Sequence, residues 1–295
     1  MKKIGFIGVG IMGKSMVRNL MEKGFELSIY SRTQSKCADV IREGALWCET
    51  VENCARSVDA VITMVGYPKD VEEVYFGKGG VLGSVKPGTY VIDMTTTSPQ
   101  LSARIYKEAK GKGVFALDAP VSGGDIGAQK GTLSIMVGGD REAFNACMPL
   151  FDALGTNTIY EGGAGFGQHT KIANQIALSG VIASVCEALA YAGAVGLDTQ
   201  TMLGSISAGA AGSWQMSNMA PRILKGDFAP GFFIKHYIKD MNIASEEAKR
   251  AGISLEILDD VRRMYQDLAQ RGMGDLGTQA LMRYYDCTHG GDKNG

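Results

Sequence analysis

The sequence predicts an α/β fold, in which a doubly wound and mostly parallel sheet is followed by an all-helical C-terminal domain. Through the first half of the 295 residues, short apolar runs alternate with helical segments. This alternation is typical of a parallel sheet covered by helices. From about Gly165 onward the strand patterns end and long helical periodicities take over. A chain of this length accommodates two domains.

The chain opens with a pattern typical of a dinucleotide site. A short apolar run at residues 3–7 leads into a glycine turn at residues 8–13, and a helical periodicity follows. Gly8 allows the tight turn, Gly10 lets the backbone approach a pyrophosphate, and Gly13 permits close packing of the helix on the strand. Free N–H groups at the helix start, which includes Ile11 and Met12, are offered to the phosphates.

The end of the second predicted strand, residues 25–30, indicates which dinucleotide binds. An NAD site usually has an acid about 20 residues after the glycines, where it binds the ribose 2′-hydroxyl. Here the strand is followed by Ser31, Arg32 and Thr33 instead. A guanidinium between two hydroxyls suits a 2′-phosphate. The segment therefore favours NADP, with NAD as the alternative; a surface arginine that only faces water is the other interpretation of Arg32.

The remaining elements follow from the same patterns. Further strands are predicted at residues 60–65, 90–94, 114–119, 134–137 and 157–160, with helices between them at residues 70–76, 99–112 and 141–154. In the second half, helices are predicted at residues 171–194, 199–207, 240–251, 255–270 and 277–285. The glycine-rich residues 161–165 mark the boundary. We therefore expect an NADP-binding domain over residues 1–163, an all-α domain over residues 164–287, and a flexible tail over residues 288–295.

Composition argues against several classes of function. The chain is 45% hydrophobic and 21% charged, and its net charge of −1 gives no electrostatic basis for binding nucleic acid or an anionic membrane. We expect no apolar run of membrane-spanning length and no signal peptide. The six cysteines form no C-x-x-C pair, and the three histidines have no partner at metal-site spacing. We therefore expect reduced thiols in a cytoplasmic protein and no bound metal.

Lys171 is the candidate for proton transfer. It stands at the head of the long apolar segment of the second half, and the amides of Asn174 and Gln175 follow three and four residues later. On a helix these side chains share a face. A lysine so placed can deliver a proton to an oxygen held beside it. For a lone lysine a solvated surface position is the ordinary interpretation, and the dinucleotide pattern is what outweighs it.

Four motifs, taken in their order and spacing, resemble the β-hydroxyacid dehydrogenase family. They are the glycine turn, Asp-Ala-Pro-Val-Ser-Gly-Gly at residues 118–124, Gly-x-x-x-Lys-x-x-Asn at residues 167–174, and Ile-Lys-Asp-Met-Asn at residues 238–242. The family includes 3-hydroxyisobutyrate dehydrogenase, tartronate semialdehyde reductase and the succinic and glyoxylic semialdehyde reductases. The resemblance covers residues 3–287.

This resemblance implies an architecture and a reaction. The architecture is a Rossmann-type N-terminal domain and an all-helical C-terminal domain for catalysis and oligomerisation, with nicotinamide and substrate held in a cleft between them. The reaction is hydride transfer between NADP(H) and a small β-hydroxyacid or carboxylate-bearing aldehyde. We accordingly expect a small-molecule substrate and a homodimer or homotetramer.

The resemblance also implies roles for residues of the first half. Lys171 matches the family's catalytic lysine. Ser122, Gly123 and Gly124 match the loop that holds the substrate carboxylate, and Thr96 matches the segment beside the nicotinamide and the substrate. Successive small residues expose backbone N–H groups, which suits an anion. Without the lysine motif, an ordinary turn between a strand and a helix would be the preferred interpretation of residues 122–124.

Further matches concern the cofactor and the second half. Met64 and Val65 match the loop over the cofactor, and Lys239 matches a lysine that reaches back to it. Many members carry an Asn four residues after the lysine; here that position is Gln175, with Asn174 before it, so either amide is a candidate for substrate binding. Trp214 is expected near the substrate on a helix edge, with a buried core position as the alternative.

Two other functions compete with a hydroxyacid dehydrogenase. An imine reductase shares this architecture, but there the lysine position is typically replaced. A non-catalytic NADP-binding or chromatin-associated module would lack the lysine and carry basic extensions. Lys171 argues against both alternatives.

Overall fold

The computed structural model describes residues 1–288, without the side chains of residues 286–288. The chain divides into two compact units, Met1–Lys171 and the residues from Ile172 onward. The flexible tail predicted at residues 288–295 lies outside the described residues, except for Thr288, which ends the last helix.

The described part of the first unit contains one sheet of nine strands. They are β1 (Lys3–Ile7), β2 (Glu26–Tyr30), β3 (Leu46–Trp47), β4 (Ala60–Thr63), β5 (Tyr90–Asp93), β6 (Phe115–Asp118), β7 (Val121–Ser122), β8 (Leu133–Gly139) and β9 (Gly155–Gly162). Their order is β3-β2-β1-β4-β5-β6-β8-β7, with β9 beside β8. From β3 to β6 all neighbours are parallel, whereas β8 is antiparallel to β6 and β7. The predicted, mostly parallel sheet is confirmed.

Helices cover both faces of this sheet. They are α1 (Ile11–Glu22), α2 (Ala38–Arg42), α3 (Val51–Ala55), α4 (Pro68–Phe76), α5 (Val81–Ser84), α6 (Pro99–Lys110), α7 (Gly124–Lys130) and α8 (Arg141–Leu154). Adjacent residues of β4, Val61 and Ile62, belong to two different apolar clusters. Because all of β4 is buried, its sequence is a continuous apolar run rather than an alternating one.

The second unit is helical. Its helices are α9 (Phe166–Ala194), which begins in the first unit, α10 (Thr199–Ser207), α11 (Trp214–Asn218), α12 (Ala220–Leu224), α13 (Ile234–Arg250), α14 (Glu256–Leu268) and α15 (Met282–Thr288). One apolar cluster holds them together, and Tyr237, Met241 and Tyr265 lie fully buried within it. The α/β fold with a helical C-terminal part is confirmed.

Several predicted boundaries differ from the observed ones. α9 begins at Phe166 rather than at residue 171, and α13 begins at Ile234 rather than at residue 240. The predicted helix at residues 255–270 ends at Leu268 and continues as a wider turn, Ala269–Met273, in which Gly272 has a φ of 81°. The two-residue strands β3 and β7 and the short helices α2, α3, α5, α7 and α12 were not predicted, because elements of this length carry little periodicity.

α9 corrects one expectation from composition. It has 29 residues and contains an 18-residue window of mean hydropathy 1.6, of which 39% is buried. By length and composition alone this helix would be long and apolar enough to cross a membrane. That is weak evidence, because the core helix of a globular protein has the same properties.

Candidate active site

The glycine turn joins β1 to α1, and two of its three motif glycines are too closely packed to accommodate a side chain. Gly8 has a φ of 102°, and a Cβ there would lie 2.2 Å from the carbonyl oxygen of Met64. A Cβ on Gly13 would lie 2.3 Å from the carbonyl oxygen of Gly8. Around Gly10, by contrast, a Cβ would meet nothing within 4 Å. Gly8 and Gly13 are therefore needed for packing, while Gly10 leaves open space in front of the helix.

The start of α1 suits a phosphate group. Gly10 is the N-cap residue, so no side chain caps the helix, and its first turn carries no acidic residue. Ile11, the first helical residue, is 51% exposed although it is apolar. The first N–H groups of a helix lack partners within the helix, and its dipole favours negative charge there. These residues fit the pyrophosphate of a dinucleotide.

At the carboxyl end of β2, Arg32 is held by a neighbouring carboxylate. Its side chain is 80% exposed, and one guanidinium nitrogen lies 3.4 Å from Oδ1 of Asp70. The other oxygen of Asp70 accepts a hydrogen bond from the backbone N–H of Tyr67, at 3.1 Å, and so caps α4. Ser31 is half-buried and Thr33 is exposed beside it. The arginine is thus accessible and loosely oriented.

The loops after β4 and β5 are joined through the buried Asp93. Its Oδ1 accepts hydrogen bonds from Thr63 Oγ1 at 2.7 Å and from the backbone N–H of Thr95 at 3.1 Å. Thr95 Oγ1 in turn accepts from the backbone N–H of Val65 at 3.0 Å. Burial raises the pKa of the Asp93 carboxyl to about 6. This chain of bonds fixes Val65 and, next to Thr95, the half-buried Thr96 at the carboxyl edge of the sheet.

Asp118, the last residue of β6, caps the start of α9. Its two carboxylate oxygens accept hydrogen bonds from the backbone N–H groups of Gly165, at 2.7 Å, and Gln168, at 2.9 Å. Burial raises the pKa of Asp118, although these two hydrogen bonds lower it. This cap explains why α9 begins at Phe166, before the position that periodicity predicted.

The amide of Gln168 then ties α9 to the loop after β5. Its Nε2 donates to the carbonyl oxygen of Thr95 at 2.8 Å, and its Oε1 accepts from the backbone N–H of Thr97 at 3.0 Å. Gln168 is fully buried. Lys171 follows three residues later, on the same side of the helix, and is only 7% exposed. The surface interpretation of Lys171 was therefore wrong.

Residues 122–124 form a strand end and a glycine turn. Ser122 is the last residue of β7, is paired with Ser134 of β8, and is half-buried. Gly123 and Gly124 have φ values of 128° and 63°, which side chains rarely allow. A Cβ on Gly124 would meet nothing within 4 Å. The segment is thus a strand-to-helix turn in its backbone, with an open approach at Gly124.

In the second unit, Asp240 organises the predicted polar residues. Nε2 of Gln175 donates to Oδ2 of Asp240 at 2.5 Å, and Nζ of Lys239 lies 2.9 Å from Oδ1. Nδ2 of Asn174 donates to Oε1 of Gln175 at 2.8 Å. Gln175 is 1% exposed, whereas Asn174 is only partly buried. The amide of Gln175 is therefore occupied on both sides.

Trp214 begins α11 and is 55% exposed, so the alternative of a buried core position was wrong. The structure relates most of the predicted residues of each unit to one another, but no hydrogen bond or ion pair of the described residues links Trp214 to Asn174, Gln175 or Lys239. In the first unit they follow the carboxyl ends of β1, β2, β4, β5 and β7 and the start of α9; in the second, Asn174, Gln175 and Lys239 share one hydrogen-bonded and ion-paired network.

Sequence reasoning missed three residues that support this arrangement, Asp93, Asp118 and Gln168. Asp93 and Asp118 end neighbouring strands and are directly opposite in the register. Two acids at the ends of buried apolar strands were visible in the sequence, and the carboxyl ends of parallel strands are where ligands bind. No local pattern pointed to Gln168, because the partners of its side-chain amide are more than 70 residues away.

Comparisons with known proteins identify the family of both halves of the chain. Residues 3–162 match the family model described as the NAD-binding domain of 6-phosphogluconate dehydrogenase. Residues 165–285 match the one described as the NAD-binding domain of NADP-dependent 3-hydroxyisobutyrate dehydrogenase.

Individual relatives span almost the whole chain. An uncharacterised oxidoreductase of Bacillus subtilis is 52% identical, over 96% of this chain and 99% of its own. The 2-hydroxy-3-oxopropionate reductase of Escherichia coli is 38% identical, over 95% and 96%. The structure of Mycobacterium tuberculosis 3-hydroxyisobutyrate dehydrogenase with L-serine is 27% identical and matches with a TM-score of 0.87, over 96% and 98%. The chain therefore belongs to the β-hydroxyacid dehydrogenase family, as an NAD(P)-dependent oxidoreductase that acts on hydroxyacids.

Proposed function

We propose that this enzyme interconverts a small β-hydroxyacid and the corresponding carboxylate-bearing aldehyde, with NADP(H) as the cofactor. The observation that carries the proposal is the buried Lys171, which stands one turn beyond the bonds that Gln168 and Asp118 make with the carboxyl edge of the sheet. The substrate class is that of 3-hydroxyisobutyrate, tartronate semialdehyde or succinic semialdehyde.

Lys171 is the proposed general acid and base. When bound, the dinucleotide supplies or accepts the hydride. As a carbonyl is reduced, negative charge develops on its oxygen, and an ammonium group already in place stabilises this charge and donates the proton. In the oxidation direction the neutral amine accepts the proton from the hydroxyl. Burial of Lys171 away from water strengthens its interaction with the charge.

The cofactor residues of the proposal follow the strand ends. Open space at Gly10, and the uncapped N–H groups of Ile11, Met12 and Gly13, support pyrophosphate binding. The exposed side chain of Arg32, flanked by Ser31 and Thr33, supports binding of a 2′-phosphate. We further assign Met64, Val65, Thr96 and Lys239 to the cofactor.

For the substrate, we assign Ser122, Gly123 and Gly124 to the carboxylate and Thr96 and Trp214 to neighbouring contacts. Between the two amides we choose Asn174, because both polar ends of the Gln175 amide are already bonded, to Asp240 and to Asn174. Gln175 then orients Asn174. Asn174→Ala should accordingly raise the substrate KM while leaving NADPH binding intact.

The domain limits and the cellular location of the enzyme are also proposals. We keep a cofactor domain over residues 1–163 and a catalytic and oligomerisation domain over residues 164–287; the compact units meet eight residues later, within α9. We propose a cytoplasmic location, which the five described cysteines support, since all of them are unpaired.

We propose a homodimer or homotetramer because large apolar side chains of the second unit are exposed. Ile257 is 68% and Tyr191 is 67% exposed. Ile257 also lies beside α9, since its Cγ2 is 3.5 Å from the position of a Cβ on Gly180. Exposed apolar patches mark interaction surfaces. Ile257→Lys should lower the mass measured by light scattering; a wild-type mass of 31.4 kDa at micromolar concentration would contradict self-association.

A substrate panel tests the proposed function. NADPH oxidation is followed with the semialdehydes of tartronate, methylmalonate and succinate, with their methyl esters, and with a cyclic imine. We expect the free acids to exceed their esters by about tenfold or more in kcat/KM, the scale of a lost charge-assisted hydrogen bond. Reduction of the imine alone would indicate an imine reductase, and no turnover of any compound would indicate a non-catalytic module.

A further inference from the structure

We infer that Gln168 and Asp118 are positioning residues, which hold the ammonium-bearing turn of α9 against the Thr95–Thr97 loop. This inference rests on the proposed role of Lys171. Neither residue is assigned to the substrate or to the cofactor, and both act through backbone groups.

The bonds of Gln168 fix two segments at once. Its single side-chain amide donates to the carbonyl of Thr95 and accepts from the N–H of Thr97, so it bonds the residues on both sides of Thr96. Its own backbone N–H is bonded to Asp118. Lys171 lies three residues further along the helix, about 4.5 Å in axial rise and on the same face. One buried side chain thus sets the position of Lys171 relative to Thr96.

Asp118 fixes the same turn from the other side. Both of its oxygens accept from backbone N–H groups of the helix start, so the carboxylate also offsets the partial positive charge there. The approach is so close that glycine is required. A Cβ on Gly167 would lie 2.9 Å from Oδ2 of Asp118 and 2.4 Å from the carbonyl oxygen of Met136. The start of α9 is therefore hydrogen-bonded to β6 and packed closely against β8.

Ordinary helix capping would not require the Gln168 amide. The Asp118 carboxylate already satisfies two N–H groups of the helix start, whereas the Gln168 side chain bonds a loop outside the helix. Its removal should therefore disturb catalysis more than cofactor binding. A misplacement of a catalytic group by about 1 Å can lower a rate by about 100-fold.

The test compares Gln168→Leu with His169→Leu, a matched control at an exposed position one residue further on. We expect Gln168→Leu to lower kcat by about 10–100-fold and to leave the Kd for NADPH within about threefold. His169→Leu should leave both unchanged. Near-wild-type kcat in folded Gln168→Leu would overturn the inference.

Gln168→Glu supplies a rescue that a merely structural role would not show. A protonated Glu can donate to the Thr95 carbonyl, as the amide does, whereas its carboxylate cannot. The ratio of variant to wild-type kcat should therefore fall as the pH rises. The ionisable side chains nearby, Asp93, Asp118, His169 and Lys171, are the same in both proteins, so the pH dependence of the ratio comes from the introduced carboxyl and from its effect on these groups. A ratio independent of pH would count against the inference.

A spectroscopic readout separates this inference from the proposed function. In protein labelled with ¹³Cε-lysine, the Lys171 signal is the one that disappears in Lys171→Ala. Gln168→Leu should shift this signal, and His169→Leu should leave it in place. If wild type reduces no aldehyde but the signal shifts, the proposed function fails and the positioning role stands. If the signal does not shift, the positioning role fails, whatever the activity.

Discussion

At the scale of single residues, the main prediction concerns the buried Lys171 and its role in proton transfer. Replacing it by alanine should leave NADPH binding nearly intact, because the proposed phosphate contacts lie at the start of α1. The chemical step should fall by about 10²–10⁴, the usual effect of a positioned acid–base group. Lys171→Arg should restore little, since a guanidinium keeps its proton at any accessible pH. Lys130→Ala, at an exposed lysine of the same unit, is the control.

The pH profile is the sharper measurement on Lys171. In the oxidation direction the amine must be neutral before it accepts a proton, so wild-type kcat/KM should rise with pH. That rise should be absent in Lys171→Ala. A variant with near-wild-type turnover and the same alkaline rise would mean that another group transfers the proton.

How far the sequence predicts single residues depends on whether their partners are local. Gly8, Gly10 and Gly13 belong to one contiguous motif, and the structure gives a steric reason for Gly8 and Gly13, whereas Gly10 has open space around it. Asp118 lies within a recognised motif, but its partners on α9 are about 50 residues away. A contact at that separation depends on strand register and helix position, which local periodicity does not encode.

At the scale of elements, long elements were predicted well and their ends less so. The helix at Arg141–Leu154 and the one at Thr199–Ser207 agree with the prediction at both ends. α9 starts earlier than its apolar periodicity because a side chain from β6, rather than a local residue, caps it. α13 starts six residues early for a different reason. Its first turns, from Ile234, bury Ile234 and Tyr237 among polar neighbours, a sparse pattern that is hard to recognise.

The carboxyl end of β2 carries the prediction about the cofactor. We expect a lower KM for NADPH than for NADH, because Arg32 offers an exposed guanidinium and no acid ends the strand. Arg32→Ala should raise the KM for NADPH and leave that for NADH nearly unchanged. A charged hydrogen bond to phosphate contributes about 1.5–3 kcal/mol. Because Arg32 is exposed, we expect the lower value, which corresponds to an increase in the KM for NADPH of about tenfold.

The matched control for this prediction is Arg42→Ala, at an exposed arginine of α2 that donates to its own helix. It should change neither KM. Equal kcat/KM of the wild type for NADPH and NADH would refute a preference for NADP. It would indicate that Arg32 forms its ion pair with Asp70 and does not bind the cofactor.

At the scale of the whole molecule, the fold was predictable because the apolar residues of the two halves of the sequence follow different periodicities. Alternating strands and helices give way to helices alone near residue 165, and the structure changes in the same way. The compact units nevertheless meet at residue 171 rather than at residue 163. The start of α9 is bonded to β6 and to the loop after β5, so its first turns belong to the sheet although their sequence is helical.

The stability of the whole fold should depend on Asp93, which is buried below the loop that carries Thr96. Its Oδ1 accepts both described hydrogen bonds, while Oδ2 is buried with no hydrogen-bond partner. Burial raises the pKa of this carboxyl from 3.8 to about 6, so the folded protein binds the proton more tightly than the unfolded chain does. Between these two values the folded state holds more protons, and its stability therefore falls as the pH rises.

Asp93→Asn should remove this dependence while it retains the bonds from Thr63 and Thr95, because the amide oxygen can replace Oδ1. Relative to wild type, the variant should gain up to about 3 kcal/mol in free energy of unfolding between pH 4 and pH 7.5, from a shift of about two pH units. Chemical denaturation at a series of pH values measures the difference, and Asp152→Asn, at an exposed position, controls for net charge. A difference between Asp93→Asn and wild type that stays constant with pH would mean that Asp93 is ionised in the folded protein throughout. The carboxylate would then have to be stabilised by its hydrogen bonds from Thr63 and Thr95 strongly enough to outweigh its burial.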